Sequence, residues 1–253
     1  MRNIKLIFQY DGANYSGFEL QPGNRTVRSE LEKALLKIYG KKIGVISASR
    51  TDAGVHALSN VINFKIDSPI PTSKLPQALN FYLPEDIRIL KAEDKEKGFN
   101  ARFDSKSKEY EYLIYNGPVL NPIFRRFVWQ VKPKLDLKAM RKAAKILVGK
   151  HDFSSFCASR GDDRNFVRTI HSFVIRHSSF IIWGGSKLKV ISLRVTANGY
   201  LYKMVRNMVG TLAEVGLGRI LPGEIEAILM ANDRKLAGRT APAAGLCLIK
   251  VNY

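Results

Sequence analysis

The sequence predicts an α+β fold made of two similar halves, and three observations support this prediction. Segments in which apolar residues alternate, as in a strand, are interspersed with segments in which they recur at helical spacing. In the first half these segments have the order β-α-β-β-α-β. A strand ending in Tyr-Asp-Gly at residues 10–12 has a counterpart ending in Tyr-Asn-Gly at residues 115–117. No low-complexity linker interrupts the junction at residues 95–108. We therefore expect two ferredoxin-like halves, 1–105 and 106–253, whose antiparallel sheets pair side by side around a central basic cleft.

Each element of the first half is predicted from its own pattern of residues. Apolar residues at helical spacing predict a helix after Thr26, whose hydroxyl can cap it, and Gly40 is suited to end it. Alternation places Ile62, Phe64 and Ile66 on one face of a strand. The predicted elements are a strand at 3–12, a helix at 26–40, strands at 43–48 and 58–66, a short helix near 73–80 and a strand near 86–92.

The second half opens in the same way and continues with longer elements. Tyr110, Tyr112 and Ile114 alternate along its first strand, so we expect them on one face. In the last predicted helix, apolar residues form one stripe, and Lys203 and Arg206 fall on another face. The predicted elements are a strand at 108–117, a helix at 136–149, strands at 166–178 and 188–198, a long helix that begins near Tyr200 and a final strand at 245–253.

Charge distinguishes the two halves from each other. Lysine and arginine number 41 against 22 acidic residues, which gives a net charge of +19. Residues 1–105 hold 16 basic and 12 acidic residues, a net +4, whereas 106–253 hold 25 and 10, a net +15. A basic excess of this size favours a polyanionic partner, because each neutralised phosphate releases a condensed counterion. We therefore predict a nucleic acid as the partner and expect it mainly on the second half.

Several other classes of protein are disfavoured by the composition. Cys157 and Cys247 are far apart, and no His/Cys ligand spacing or phosphate-binding glycine loop occurs, so we expect neither a metal nor a cofactor. The N-terminus reaches polar and acidic residues too soon for a signal peptide. Apolar runs such as residues 180–185 are too short to cross a bilayer. The sequence predicts a cytoplasmic protein without a membrane partner.

One loop gathers reactive residues between two predicted strands. Arg50, Thr51, Asp52 and His56 lie in a short stretch in which Gly54 permits a sharp bend. An adjacent guanidinium favours an ionised carboxylate, and such an Asp can act as a base or as a nucleophile. Two interpretations are open at this point. Either the loop is a reactive site, or Asp52 caps backbone amides while Arg50 makes a surface ion pair.

The wider context resembles a known enzyme family. The stretch "SRTDAGVHA" at 49–57 is similar to the signature loop of the TruA family of tRNA pseudouridine synthases. One departure is Phe18, where the family often has Trp. Further blocks resemble the family in the same order along nearly the whole chain, at 10–22, 26–35, 99–116, 151–156, 167–170, 204–212 and 241–253.

The resemblance implies an isomerase that converts uridine to pseudouridine in tRNA without metal or cofactor. Asp52 matches the catalytic aspartate of the family. Addition at C6 of uracil, attack at C1′ of ribose and removal of the 2′ proton all remain open as its role. Tyr110 matches an active-site tyrosine that would stack on the flipped base, and Arg206 matches an arginine near the carboxylate. The candidate substrate-binding residues are Arg50, Thr51, His56, Leu246 and Tyr110.

The resemblance also implies how RNA is recognised. The targets would be uridines 38, 39 and 40 at the foot of the anticodon stem, and the target nucleotide must leave its stack before it can react. The family works as a homodimer with tRNA across both subunits. Basic stretches at 122–127, 131–145 and 159–168 are the expected contacts.

Two alternative functions compete with this interpretation. A non-catalytic RNA-binding protein with tandem ferredoxin-like modules would have no use for Asp52, and the aromatic strand motifs typical of such readers are missing. A glycosidase that cleaves a nucleoside bond would usually need a second carboxylate as the acid. The loop around Asp52 offers only Arg50, Thr51 and His56.

Overall fold

The computed structural model describes residues 1–158, 165–181 and 187–253. These residues form two compact units. The first unit comprises Met1–Lys106 together with Cys247–Tyr253, and the second comprises Ser107–Leu246. The sequence had placed all of 106–253 in the second half, whereas the final strand packs within the first unit. The fold is of the α+β class, as predicted.

The helices and strands have the following bounds. The strands are β1 (Arg2–Tyr10), β2 (Ile46–Ser47), β3 (His56–Ile66), β4 (Ile87–Lys95), β5 (Ser107–Tyr115), β6 (Trp129–Gln130), β7 (Gly149–Asp152), β8 (Val167–Ile181), β9 (Lys187–Ala197) and β10 (Leu246–Asn252). The α-helices are α1 (Val27–Tyr39), α2 (Leu75–Tyr82), α3 (Leu137–Ile146), α4 (Met204–Gly216) and α5 (Glu224–Ala231).

In the first unit the strands follow the order β4-β1-β3-β10, with β2 beside β3. β1 pairs antiparallel with both β3 and β4, whereas β10 joins β3 in parallel through Cys247 opposite His56. A purely antiparallel sheet was expected, and this parallel pair corrects that expectation. The strand predicted at 43–48 is reduced to Ile46–Ser47, the two residues that pair with β3.

Helix α1 forms where its sequence signals predicted it. The Thr26 side chain accepts a hydrogen bond from Ser29 N, and the Ser29 hydroxyl accepts one from Thr26 N, which completes a capping box. Gly40 ends the helix with φ of 67°, a left-handed conformation that glycine adopts without strain. The buried face of the helix consists of Val27, Leu31, Ala34 and Leu35.

The second unit has the strand order β5-β9-β8-β7, with β6 parallel to β5. Helix α3 begins at its cap Asp136, and Arg141 Nε donates to the Ile175 carbonyl of β8, so the helix is tied to the sheet. The short apolar helix α5 was not predicted. Part of the basic stretch at 159–168, residues 159–164, lies outside the described residues.

Helix α4 begins at Met204 rather than near Tyr200, where the sequence had placed its start. The Tyr200 hydroxyl lies 2.9 Å from Val195 O and 3.1 Å from Lys108 O, so its one proton is shared between two backbone carbonyls of the sheet, which holds this residue out of the helix. Lys203 then turns the chain with φ of 57°. The polar side of α4 is not a solvated face, because Asn207 is fully buried.

Candidate active site

The loop that carries Asp52 is fixed through its backbone. Val55 N donates to Asp52 O at 3.2 Å, which closes a turn around Gly54, whose φ is 78°. Phe18 N donates to Thr51 O at 3.0 Å, and Gly54 N donates to Tyr15 O at 3.3 Å. Hydrogen bonds to the segment at 15–18 therefore hold the loop on both sides of Asp52.

Two glycines make this close packing possible, and sequence reasoning gave them no role. A Cβ atom on Gly12 would lie 1.9 Å from Val55 O, a separation that no side chain can occupy. A Cβ atom on Gly17 would lie 3.0 Å from Thr51 O, and the φ of Gly17 is 100°. Both glycines lie at 10–18, where the first strand ends. Glycine in such a position often permits close approach of two backbones, and this was the signal that the sequence offered.

Within this loop, Asp52 is partly exposed and Arg50 is exposed. Arg50 Nε lies 3.3 Å from Glu19 Oε2, so its guanidinium forms the surface ion pair that one of the two interpretations anticipated. Thr51 is buried beside Asp52. The loop therefore presents a partly exposed carboxylate on a rigid backbone, which is the geometry a nucleophile or base requires.

His56 serves the architecture of the loop. Its ring is buried, and its Nδ1 atom accepts a hydrogen bond from Gly12 N at 3.1 Å. The Asp11 carboxylate lies 3.0 Å from the same Nδ1 atom. His56 thus anchors the segment that begins at Gly12 against β3.

A buried polar network lies next to the loop, and the sequence did not reveal it. The Tyr10 hydroxyl is 2.7 Å from Thr51 Oγ1, and Asn60 Nδ2 donates to the Tyr10 hydroxyl at 3.3 Å and to Ser49 O at 3.1 Å. The Ser47 hydroxyl donates to the same Ser49 carbonyl at 2.8 Å. Burial raises the pKa of Tyr10 well above its usual range, so its hydroxyl stays protonated.

In the second unit, the tyrosines of β5 alternate as predicted, with Tyr110, Tyr112 and Ile114 buried on one face. The ring of Tyr110 meets that of Tyr200 edge to face, with centroids 5.1 Å apart. The Tyr112 hydroxyl donates to Pro242 O at 2.7 Å, so Tyr112 is a core residue whose hydroxyl has a partner. Burial raises the pKa of Tyr112.

Arg206 is bonded to the segment that leads into β10. Its Nε donates to Ala241 O at 2.8 Å, and Ala241 N donates back to Arg206 O at 3.0 Å. A Cβ atom on Gly210, one turn further along α4, would lie 1.7 Å from Arg239 O. Leu246, the first residue of β10, is buried. The helix and this segment therefore form one tightly packed element.

A second polar cluster supports the same segment. The Asn207 side-chain oxygen accepts hydrogen bonds from the Thr240 hydroxyl at 2.6 Å and from Arg234 at 3.0 Å. Asn207 Nδ2 donates to Phe156 O at 2.7 Å, which ties α4 to the "HDFSSF" block. Burial lowers the pKa of Arg234. Arg234 and Thr240 were not among the residues singled out from sequence.

The structure places the candidate residues in both units. Arg50, Thr51, Asp52 and His56 belong to the first unit, whereas Tyr110, Arg206 and Leu246 belong to the second. Across residues 1–158, 165–181 and 187–253, no group of three or more His, Cys, Asp or Glu side chains could hold a metal ion. In the same ranges, no helix is long and apolar enough to cross a membrane.

Comparison with known proteins gives a consistent result. Residues 6–104 and 143–253 match the family described as tRNA pseudouridine synthase. A protein of Thermoanaerobacter sp. (strain X514) named tRNA pseudouridine synthase A is 44% identical over 253 residues, covering 100% of both chains. The protein of that name from Bacillus subtilis (strain 168) is 42% identical over 99% of this chain and 98% of its own.

These matches define a class of RNA-modifying isomerases. The chain belongs to the tRNA pseudouridine synthase family. The activity predicted from the sequence, isomerisation of uridine to pseudouridine in tRNA, is thereby confirmed. Among solved structures, a complex described as an H/ACA RNP bound to a substrate RNA containing 2′-deoxyuridine aligns with 97% of this chain and 57% of that chain. Its TM-score is 0.36 at 10% identity.

Proposed function

We propose that Asp52 supplies the carboxylate that reacts with the target uridine. The observation that carries the proposal is the loop itself, because it holds a partly exposed Asp52 on a backbone bonded to Phe18 and Tyr15. A fixed carboxylate needs little reorganisation when the substrate binds, since its direction is set before the reaction begins. The targets we propose are uridines 38, 39 and 40 of the anticodon stem-loop.

The reaction requires no net oxidation and no external reactant. The bond between N1 of uracil and C1′ of ribose breaks, the base turns, and a bond forms between C5 and C1′. The proton of C5 is lost and N1 takes up a proton, so the product is an isomer of the substrate. An ionised Asp52 fits three routes, namely addition at C6, attack at C1′ and removal of the 2′ proton.

The other candidate residues have complementary roles in this proposal. Tyr110 stacks on the flipped base with its hydroxyl near the C5 proton, and Leu246 packs against the same base. Arg206 supplies a positive charge to the reaction, and Arg50 contacts a phosphate when RNA displaces its partner Glu19. These assignments rest on the match between the motifs of this chain and those of its family. Thr51 and His56 act by holding the loop, since both are buried and hydrogen-bonded, Thr51 to Tyr10 and His56 to Gly12.

We propose that the second unit provides most of the RNA-binding surface. Helix α3 carries four exposed basic side chains, Lys138, Arg141, Lys142 and Lys145, which line an open surface depression together with Asp136 and Ala139. Phosphate contacts of this kind position the RNA without reading its sequence, which suits an enzyme that accepts three neighbouring uridines. In this proposal the enzyme acts as a homodimer on tRNA in the cytoplasm.

We also propose a ferredoxin-like organisation for the two units. The first unit supports it, because its elements follow the order β1-α1-β2-β3-α2-β4 and its sheet runs β4-β1-β3 with β2 beside β3. The second unit adds α5 after α4, and its ferredoxin-like character rests on the resemblance of its first elements to those of the first unit.

The proposal is tested by following tritium released from C5 of uridine in unmodified tRNA, without added metal or cofactor. We expect stoichiometric release by the native enzyme, no free uracil, and pseudouridine mapped to positions 38, 39 and 40. Asp52→Asn and Asp52→Ala should abolish release while tRNA affinity stays nearly unchanged. Asp67→Asn is the matched control, since Asp67 is an exposed carboxylate of the same unit outside the loop. Substantial release by Asp52→Ala would remove Asp52 from its role.

A further inference from the structure

The polar network beside Asp52 has a defined order of hydrogen bonds. Tyr10, Thr51 and Asn60 are all buried, and Asn60 is completely inaccessible to solvent. Both amide hydrogens of Asn60 are used, one on Ser49 O and one on the Tyr10 hydroxyl. The side-chain oxygen of Asn60 accepts from Val61 N at 2.8 Å. Asn60 is thus locked, and it can only donate to Tyr10.

The next hydrogen bond links Tyr10 to Thr51. The Tyr10 hydroxyl accepts from Asn60 and lies 2.7 Å from Thr51 Oγ1. A phenol is a far stronger acid than an alcohol, which favours Tyr10 as the donor in this bond. The bond is short and shielded from solvent, and it ends on the residue directly before Asp52. Truncating any member would leave a buried polar group without its partner.

We infer that Tyr10, held in place by Asn60, is a positioning residue for the reaction. It fixes the side chain of Thr51 while Phe18 fixes the Thr51 carbonyl, so the backbone that leads into Asp52 is held on two sides. Neither Tyr10 nor Asn60 touches the substrate. Their effect is to set the direction of the Asp52 carboxylate, and this inference rests on the proposed role of Asp52.

The test compares two identical substitutions in the first unit. Tyr10→Phe removes the hydroxyl that bonds Thr51, whereas Tyr39→Phe removes a buried hydroxyl that has no hydrogen-bond partner within the described part of the chain. We expect Tyr10→Phe to lower the single-turnover rate by about tenfold or more, since small misplacements of a reacting group are costly. The Kd for tRNA should stay within about twofold, because the grip on the phosphates is left intact. Tyr39→Phe should leave both quantities unchanged.

Variants of Thr51 separate positioning from a loss of folded protein. Thr51→Ser keeps the hydroxyl and should retain most of the rate, whereas Thr51→Val should lower it as Tyr10→Phe does. The double variant Tyr10→Phe/Thr51→Val should be little slower than either single variant, because both break the same bond. Rates are measured per mole of folded enzyme, with folding checked by circular dichroism and by tRNA binding.

The outcomes distinguish this inference from the proposed function. If Asp52→Ala is inactive and Tyr10→Phe turns over at the native rate, the positioning role is wrong and the role of Asp52 stands. If Asp52→Ala is active, the proposed function fails whatever Tyr10→Phe does. If the fold-losses in rate of the two single variants multiply in the double variant, the inference is also overturned, because Tyr10 then acts independently of Thr51.

Discussion

Gly12 and Val55 approach each other so closely that a Cβ atom on Gly12 would lie 1.9 Å from the Val55 carbonyl oxygen. Gly12→Ala must therefore push the end of the Asp52 loop away from β1. We expect a loss of about 2 kcal/mol or more in the free energy of unfolding, as is typical of overpacking. We also expect a strong fall in the rate of tritium release. Urea unfolding and the tritium assay measure the two effects.

The control for this substitution is Gly98→Ala. An added Cβ on Gly98 would meet nothing within 4 Å, and its φ lies outside the left-handed region. Its stability should be unchanged or slightly higher, because alanine narrows the unfolded ensemble. A stable and fully active Gly12→Ala enzyme would show that the loop can move without consequence.

Tyr110 and Tyr112 lie on the same face of β5, yet the same substitution should affect them differently. Tyr112→Phe removes a hydroxyl bonded to Pro242 O and should cost about 1 kcal/mol of stability, with the rate per folded enzyme retained. Tyr110→Phe should slow the chemistry more than it weakens tRNA binding. Single-turnover rates, Kd values and urea unfolding of both variants separate the two roles. An unchanged rate for Tyr110→Phe would indicate packing alone.

Affinity for tRNA should fall steeply as salt is raised, because the proposed contacts are with phosphates. The slope of log Kd against log salt should become shallower in Lys142→Gln/Lys145→Gln, by up to about one unit for each phosphate that the variant no longer neutralises. Lys91→Gln is the control, since Lys91 is already paired with Glu93 at 2.7 Å. A flat salt dependence of the native enzyme would contradict the phosphate-dominated grip.

Glu93 makes the edge of the first sheet sensitive to acid. Its hydrogen bond with Lys91, together with the charge of Lys5, lowers the pKa of Glu93 to about 2 from an ordinary value of 4.5. A carboxyl with a lowered pKa stabilises the fold above the unfolded value, and this contribution is lost as the pH falls towards the folded value. Glu93→Gln should therefore reduce stability at pH 7 by about 1 kcal/mol at most.

The pH course of this difference is the decisive measurement. The free energies of unfolding of the native chain and of Glu93→Gln, measured in urea, should show their full difference above about pH 5. The two values should converge as the pH falls towards about 2. An unchanged difference down to about pH 3 would show that the effect of the substitution is not electrostatic. Glu85→Gln serves as the comparison, because Glu85 has no ion pair among the described residues.

The sequence predicted those features that local residue patterns encode. Local patterns were sufficient to predict the cap at Thr26 and the end of α1 at Gly40. They were also sufficient for the alternation of Tyr110 and Tyr112, because each feature depends on neighbours a few residues away. The start of α4 was misplaced because the Tyr200 hydroxyl also meets the Lys108 carbonyl of β5, which is 92 residues away in sequence.

The candidate site shows the same division between local and distant information. The loop around Asp52 was recognisable from its own residues. The contacts of Gly12 with Val55 and of Asn60 with Tyr10 join different parts of the chain, and neither residue has a pattern that reveals its partner. The alternation of β3 puts Asn60 on the face of Ile62 and Phe64, but it does not show which partner the buried amide meets.

The parallel pairing of β10 with β3 has a consequence for how the protein is made. The partner of His56 in this pairing is Cys247, so a ribosome must translate the whole of the second unit before the first sheet can be finished. Until then the edge of β3 beside His56 lacks its final neighbour, and unpaired strand edges invite association with other chains. The nascent enzyme therefore passes through a stage that molecular chaperones are suited to protect, and a transcript broken before its last codons would yield an unfinished first unit.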